Sequence, residues 1–388
     1  MISDLMIWLS YATALLTLIG LGQALYASAL ATRFAAAPRR TPQQRTPVTI
    51  LKPLCGDEPL LEDALSSQCR QNDWPCQIVL GVHSPNDAAL AVVERLRTRF
   101  PDADIAVVIH AAEHGPNRKI GNLINMLPAA KHDLLVIADS DLHVTPDYLE
   151  RIVATLEQPG CGLATTLYAG LPASRGLTGS LGAMAITHYF LPGALLAHKL
   201  GRQDCLGATM ALRRETLLRI GGLESLVTHL ADDNALGRLV RSLGLTVLLA
   251  GTVPATTVPE TRIAALYRHE LRWARTIRAL EPTAFAMSCL QYPLVWAALA
   301  VVLSAGAIWA SALFLAAWFF RAMAAHRIDT ALLPMLPGVA FPASFWLLPV
   351  RELMSVIVMI ASYGGNLVDW RGHMLHADGP VSPPAPNS

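Results

Sequence analysis

Asp139 and Asp141 stand two residues apart, directly after the apolar run LLVIA at 134–138. Mg²⁺ and Mn²⁺ take oxygen ligands and commonly bridge carboxylates to substrate phosphates. A cation held there would offset charge building up on a departing diphosphate. Taken alone, the same spacing also suits a solvated turn in which Asp caps a helix. A second acidic pair, Asp232-Asp233, precedes a helical run at 235–243. The macrodipole favours carboxylates at a helix start. One of them, within hydrogen-bond reach of a hydroxyl, can also act as general base. A third group, His269-Glu270-Leu271-Arg272-Trp273, lies in a basic amphipathic stretch at 262–278. Arg272 offers a fork for phosphate and Trp273 a pocket wall. The composition equally suits an interfacial helix lying among lipid headgroups. Asp87 follows an apolar run and can cap the next helix. Asn117-Arg118-Lys119 opens a short helix whose free N–H groups favour an anion.

A frame is needed to bring these groups together. Strand-like runs at 48–54, 78–83, 104–109 and 133–138 alternate with helical patterns at 59–71, 87–100 and 119–127. In the 87–100 segment Leu90, Val93, Leu96 and Phe100 are apolar, while Glu94, Arg95, Arg97 and Arg99 are polar. The alternation predicts an α/β domain with a mostly parallel sheet and helices on both faces. Ligands of such sheets bind beyond the carboxyl ends of the strands. That rule puts residues 83–87 and Asp139-Ser140-Asp141 at one rim. Neither GxGxxG nor GxxxxGK[ST] occurs, so the phosphate cradles of dinucleotide and P-loop enzymes are missing.

Only 15% of the 388 residues are charged, against about 25% in an ordinary soluble domain. Thirty basic and 29 acidic side chains leave no excess to neutralise a nucleic acid. The apolar residues gather at the two ends. Residues 5–32 and 282–320 carry no charge, and a bilayer span takes about 20 such residues. The shorter uncharged stretches 330–350 and 353–368 follow. The first segment is too long for a signal-peptide core and has no basic residue before it. It therefore reads as an anchor, with cleavage near Ala27 or Ala31 as the alternative. Arg33, Arg39, Arg40 and Arg45 come next, so the positive-inside rule sets the globular part in the cytoplasm.

The expected organisation is an N-terminal transmembrane helix (1–35), a Pro- and Arg-rich linker (36–47), a catalytic domain (48–260), an interfacial helix (261–283), a C-terminal transmembrane region (284–370) and a tail (371–388) that is disordered from Ala377. The 282–320 stretch is either a hairpin turning near Gly306 or an interfacial helix leading into one long span. Pro334, Pro337, Pro342 and Pro349 weaken the next segment. Four C-terminal crossings and two or three both remain open. Arg351-Glu352 is either an ion pair at the outer boundary or part of a buried polar site. Cys55, Cys69, Cys76, Cys161, Cys205 and Cys289 show neither CxxC nor zinc spacing with His, and read as reduced core residues.

In this order the motifs resemble those of the membrane-bound inverting glycosyltransferases of GT-A fold in the ceramide glucosyltransferase family (family twenty-one type). That pattern is D, D, D, (Q/R)xxRW. Asp87 in HSPNDAAL, Asp139 in IADSDL and Asp233 in LADDNAL match the three acids, and residues 269–273 match the last element. PNRKIGNLINM (116–126), QDCLGATMALRR (203–214) and RELMSVIVMIA (351–361) support the match. RHELRWARTIRALEP (268–282) looks like the hopanoid-biosynthesis branch.

The resemblance implies transfer of N-acetylglucosamine from UDP-GlcNAc to bacteriohopanetetrol at a bacterial inner membrane. Asp87 would bind the uridine and Lys119 would lie near the diphosphate or nucleotide. Asp139 and Asp141 would hold Mg²⁺ or Mn²⁺. Asp233, with Asp232 beside it, would deprotonate the lipid hydroxyl, and attack opposite the leaving diphosphate gives inversion. Arg272 and Trp273 would close the site near the membrane, with Cys205 and His188 around the acceptor. Two features are particular to this chain. His269 stands where the family has Gln or Arg, and Asp141 restores a full DxD that some ceramide enzymes lack. The rival readings are transfer of glucose to ceramide from UDP-glucose, a processive polysaccharide synthase, and a transporter or scaffold with a degenerate domain.

Overall fold

The computed structural model describes residues 2–336, 344–365, 367–370 and 373–376. The expected disorder from Ala377 concerns residues outside that set. The strands are β1 (Val48–Pro53), β2 (Cys76–Val82), β3 (Asp104–Ile109), β4 (Leu134–Ala138), β5 (Leu142–His143), β6 (Cys161–Thr165), β7 (Ala169–Pro172), β8 (Thr209–Arg213), β9 (Thr246–Leu249) and β10 (Ala255–Val258), with a separate antiparallel pair, β11 (Leu367–Trp370) and β12 (His373–His376), across the expected boundary between the C-terminal transmembrane region and the tail. Seven form one sheet in the order β3-β2-β1-β4-β8-β6-β9, and β5-β10-β7 form a small second sheet.

The first four strands are parallel, as their alternation with helices requires. Along β1, Ile50 faces one core and Leu51 the other, both fully buried. Two covered faces explain the unbroken apolar runs of these strands. The sheet is mixed rather than mostly parallel, because β8 runs antiparallel to both β4 and β6. The path of the chain gives the reason. β6 ends at the rim, the chain makes a long excursion beyond it, and β8 enters from that rim with Thr209 opposite Ala138.

That excursion holds a helix, Leu177–Lys199, long and apolar enough to cross a membrane although most of it is buried inside the protein. It contains a π-helical turn at Ile186–Phe190. The sequence reading assigned no such element. Among the described residues four helices have the length and apolarity for a span, or five if the pair Pro282–Gln291 and Pro293–Leu303, bent by 66°, is one broken span.

The N-terminal helix Ile2–Ala35 exposes Leu5, Trp8, Leu15 and Leu18 in its first half. One side of its second half is covered, with Leu30 and Ala31 packed among Leu191, Leu195, Ile328 and Leu332. Helices Pro293–Leu303 and Ile308–Leu332 form a hairpin whose turn holds Ala305 and Gly306 at φ of 52° and 79°. Of the two alternatives for the 282–320 stretch, the hairpin turning near Gly306 is the one seen. Tyr11 stacks on Trp309 near its tip, 5.2 Å between centroids. Two further helices, Ile263–Leu280 and Leu348–Ser362, lie side by side, Ala274 and Val358 meeting in one apolar cluster with Phe285 of helix Pro282–Met287.

Candidate active site

The end of β4 is fixed from three sides. The Asp139 amide donates to Ala208 O at 3.2 Å. Lys52 of β1, 0% exposed, donates its Nζ proton to Asp139 O at 2.7 Å. Asp141 Oδ2 accepts from Thr256 Oγ1 of β10 at 2.7 Å. Burial lowers the Lys52 pKa to about 8, against the pull of Asp141, Asp139 and Glu58. Burial and the neighbouring Asp139 raise Asp141 to about 6.

Ser140 Oγ is bonded to Glu58 in the loop after β1. Asp87 holds the same loop, its Oδ1 accepting from Gly56 N at 2.8 Å and Ala89 N at 2.9 Å. Asp87 is thus linked to the Asp139 rim through residues 56–58, and it also supports the start of helix Ala89–Arg99.

Lys119 joins the first acidic motif to the second. Asn117 caps helix Arg118–Met126 by accepting from Ile120 N at 3.1 Å. The Lys119 Nζ then lies 2.7 Å from Asp139 Oδ1 and 3.6 Å from Asp232 Oδ2. Asn117 Nδ2 donates to Asp232 Oδ1 at 3.4 Å. Burial opposes the Lys119 charge, but Asp139 and Asp232 prevail and hold its pKa above the ordinary lysine value.

Asp233 sits in the first turn of helix Asp232–Ser242 and accepts from Asn234 N at 2.7 Å. Burial and Asp232 push its pKa to about 6. Cys205 is buried beside this pair. Its thiol is pushed well above the usual value by burial and then by Asp233 and Asp232. A Cβ at Gly207 would stand 2.9 Å from Asp233 Oδ2, so only glycine leaves that carboxylate its place.

Aromatic side chains form the outer wall. Tyr168 feels Asp233, Asp139 and Asp141 together, which, after burial, raise its hydroxyl pKa. Its ring lies 4.7 Å from that of Phe190 on the long excursion helix. Trp273 packs in the same cluster with Val258 of β10. His269 Nδ1 is bonded to Glu260, and its ring meets the Trp273 edge at 4.5 Å. Burial opposes the Glu260 charge, yet the His269 bond and the nearby His269 and Arg272 hold its pKa below the usual range.

The contacts just given link Asp87, Lys119, Asp139, Asp141, Asp232, Asp233 and Cys205 at one rim, and Tyr168 connects that rim to Trp273 and through it to His269, with Arg272 close to Glu260. His188 is engaged elsewhere. It is buried in the π-helical turn with Nε2 2.7 Å from Asp329 Oδ1 on helix Ile308–Leu332. Lys52, Glu58, Tyr168, Thr256 and Glu260 were missed by sequence reasoning. Lys52 had a signal, being the one charge in the strand VTILKPL. Glu260 had none, because its partner His269 identifies it only in space.

Asp139 and Asp141 are hard oxygen donors, and repulsion from Asp139 adds to burial in raising the Asp141 pKa. A divalent cation relieves that repulsion, and one or two carboxylates hold it when phosphates complete the shell. The residues fit such an ion. No group of three His, Cys, Asp or Glu among the described residues forms a closed protein cage. A cation-ready carboxylate pair, a raised carboxylate and two basic side chains suit the displacement of a diphosphate by a hydroxyl.

Comparisons with known proteins agree with that chemistry. A ceramide glucosyltransferase of Komagataella phaffii is 35% identical over 121 residues, 30% of this chain and 24% of that protein. Ceramide glucosyltransferase 1 of Caenorhabditis elegans is 20% identical over 244 residues, 63% of this chain and 52% of that protein. The chain spans at most about half the length of these two relatives. A mannosyltransferase from Pyrobaculum calidifontis, solved in complex with GDP-Man and Mn²⁺, superposes with a TM-score of 0.56 at 19% identity, over 92% of this chain and 99% of that one. At that identity the likeness is one of fold, a GT-A-like α/β arrangement with a mixed sheet. The profile of Glycosyl transferase family 21 matches residues 12–380, and with nearly the whole length covered the chain belongs to that family.

Proposed function

We propose that the protein is a membrane-held inverting glycosyltransferase that moves a sugar from a nucleotide-sugar donor to a lipid hydroxyl. The observation that carries this reading is the Lys119 bridge between Asp139 and Asp232, which draws both acidic motifs to one rim beside Asp233. Asp233 accepts the proton of the acceptor hydroxyl. The hydroxyl oxygen bonds to the anomeric carbon from the face opposite the diphosphate. The bond from that carbon to the diphosphate oxygen breaks, its electron pair leaves with the diphosphate, and the configuration inverts. Lys119 and Arg272 meet the diphosphate charge. Asp139 and Asp141 would hold Mg²⁺ or Mn²⁺, which supplies further neutralisation of that charge when bound. Asp87 commits Oδ1 to two backbone amides, and its Oδ2 serves the uracil ring N–H.

Trp273 and Tyr168 exclude water from the reacting centre. The hairpin and N-terminal helix keep the active-site rim within reach of a lipid, with the domain on the cytoplasmic side. For the substrates, the resemblance of residues 268–282 to the hopanoid-biosynthesis branch implies UDP-GlcNAc and bacteriohopanetetrol in a bacterial inner membrane. Glucose transfer to ceramide is the second reading, supported by the names of the curated relatives.

Purified protein in lipid nanodiscs, given each donor with each acceptor, separates the two by UDP release and product mass. A single added sugar is expected, whereas a ladder of products would point to a polymer synthase. Asp233→Asn should lose activity by about 100-fold or more, and full activity in that variant would remove the base assignment.

A further inference from the structure

We infer that Arg351 and Glu270 form a clasp that fixes the roll of helix Ile263–Leu280, so that Arg272 and Trp273 are aimed at the donor site from the membrane side. The inference rests on the glycosyltransferase reading above and makes both members of the clasp positioning residues. Glu270 lies inside the motif itself, one residue after His269 and two before Arg272. Arg351 Nη1 donates to Glu270 Oε1 and Nη2 to Glu270 Oε2, each at 2.6 Å. The Arg351 side chain is only 1% exposed. Its remaining protons go to Leu181 O at 3.3 Å and to Ser355 Oγ at 3.3 and 3.0 Å from Nε and Nη2. The guanidinium therefore ties helix Leu348–Ser362 to the motif-bearing helix and to the excursion helix at once.

The next residue turns the other way. Glu352, also fully buried, accepts from Tyr189 OH at 3.2 Å and from Leu294 N at 2.7 Å, and pairs with Arg321 Nε at 3.3 Å. The sequence left Arg351-Glu352 open between a boundary pair and a buried site. The two residues take different partners, and together they join the motif helix to the membrane hairpin.

Geometry explains why such a clasp matters. On a helix, successive side chains are about 100° apart. A planar two-bond fork on Glu270 therefore sets where His269, Arg272 and Trp273 point. Between the two helices themselves Leu271, Ala274, Val358 and Met359 make apolar contacts, which tolerate sliding and rolling, while Arg278 reaches Gly365 O and the Tyr363 ring only beyond the end of helix Leu348–Ser362. A buried ion pair adds little net stability over apolar residues of the same volume. Its contribution here is orientation.

The test uses full-length protein in nanodiscs. The Arg351→Met/Glu270→Met double variant replaces the clasp by apolar side chains of similar length. Its melting temperature should stay within a few degrees of the parent. Binding of UDP alone should weaken by about 10-fold or more, and the KM for the nucleotide sugar should rise with it. The KM for the lipid acceptor and kcat at saturating donor should change far less. Arg351→Lys, which keeps the charge but loses the fork, should fall between the two and serves if the double variant does not fold. Unchanged UDP affinity in either folded variant overturns the clasp, as does a loss confined to kcat or to the acceptor. If the parent protein itself binds no UDP, the underlying functional reading fails instead.

Discussion

Lys52 and Lys119 show how single charges organise the rim. Lys52 is buried and Lys119 half-buried, and each approaches Asp139, one at its carbonyl and one at its carboxylate. Replacing Lys52 by Met leaves Asp139 O without that partner and removes a cation facing Asp141 and Glu58. Losing such a charged hydrogen bond costs about 1.5–3 kcal/mol, so Lys52→Met should melt several degrees below the parent. A thermal melt of both proteins in detergent checks this, and an unchanged midpoint would count against it. Asp233 makes a pH prediction. A base must be ionised to accept a proton, and burial with Asp232 holds its pKa at about 6. The rate should therefore climb as pH rises through about 6 and level off above it. Asp232→Asn removes a negative neighbour, which makes ionisation of Asp233 easier and moves that limb to lower pH. A pH series of kcat/KM on both proteins tests it, and a limb that stays put breaks the assignment. The acids were legible in the sequence because each stands in a short local pattern. Lys52, Glu58 and Glu260 were not, since their partners lie 87, 82 and 9 positions away and only folding supplies them.

Among the elements, the four parallel strands followed from local periodicity, while β8 and the Leu177–Lys199 helix did not. The β8 direction is set by where the excursion re-enters the sheet, a fact about about 40 residues of path rather than about TMALR itself. The excursion helix is broken up by Gly179, Gly182, His188 and Gly193. It packs against protein on most of its surface, so it lacks the uniform apolar run of a lipid-facing span. Those glycines have a packing reason that can be tested from the other side. A Cβ on Gly170 of β7 would stand 2.5 Å from Ala183 Cα and 2.9 Å from Ala183 O. Backbone cannot yield as a flexible side chain does. Gly170→Ala should therefore destabilise the fold by about 1–3 kcal/mol, read as a lower melting temperature in detergent. An unchanged melting temperature would mean that strand and helix can separate freely.

For the whole molecule, the decisive feature is where the apolar surface lies relative to the rim. Trp346, Val350, Leu353, Ile357 and Ile360 are exposed at spacings of four and three, one stripe along one side of their helix segment. With the bare first half of the N-terminal helix and with Val302, Ile308 and Phe319 on the hairpin, they form the surface expected of a protein solvated by lipid. The other side of helix Leu348–Ser362 carries Arg351, so the exposed apolar stripe and the partner of Glu270 share one helix. By the positive-inside rule the basic residues after the N-terminal helix predict the α/β domain on the cytoplasmic side, where a water-soluble nucleotide sugar would be at hand. Cys55 reports on that orientation, being exposed in the loop that Asp87 and Ser140 hold through Gly56 and Glu58. A membrane-impermeant maleimide should label it in inverted vesicles and leave it untouched in sealed spheroplasts, with Cys55→Ser giving the background. Bound nucleotide sugar should slow the labelling, because the loop borders the donor site. Labelling from the outer side alone would put the domain on the opposite face of the membrane and deprive the proposed reaction of its donor.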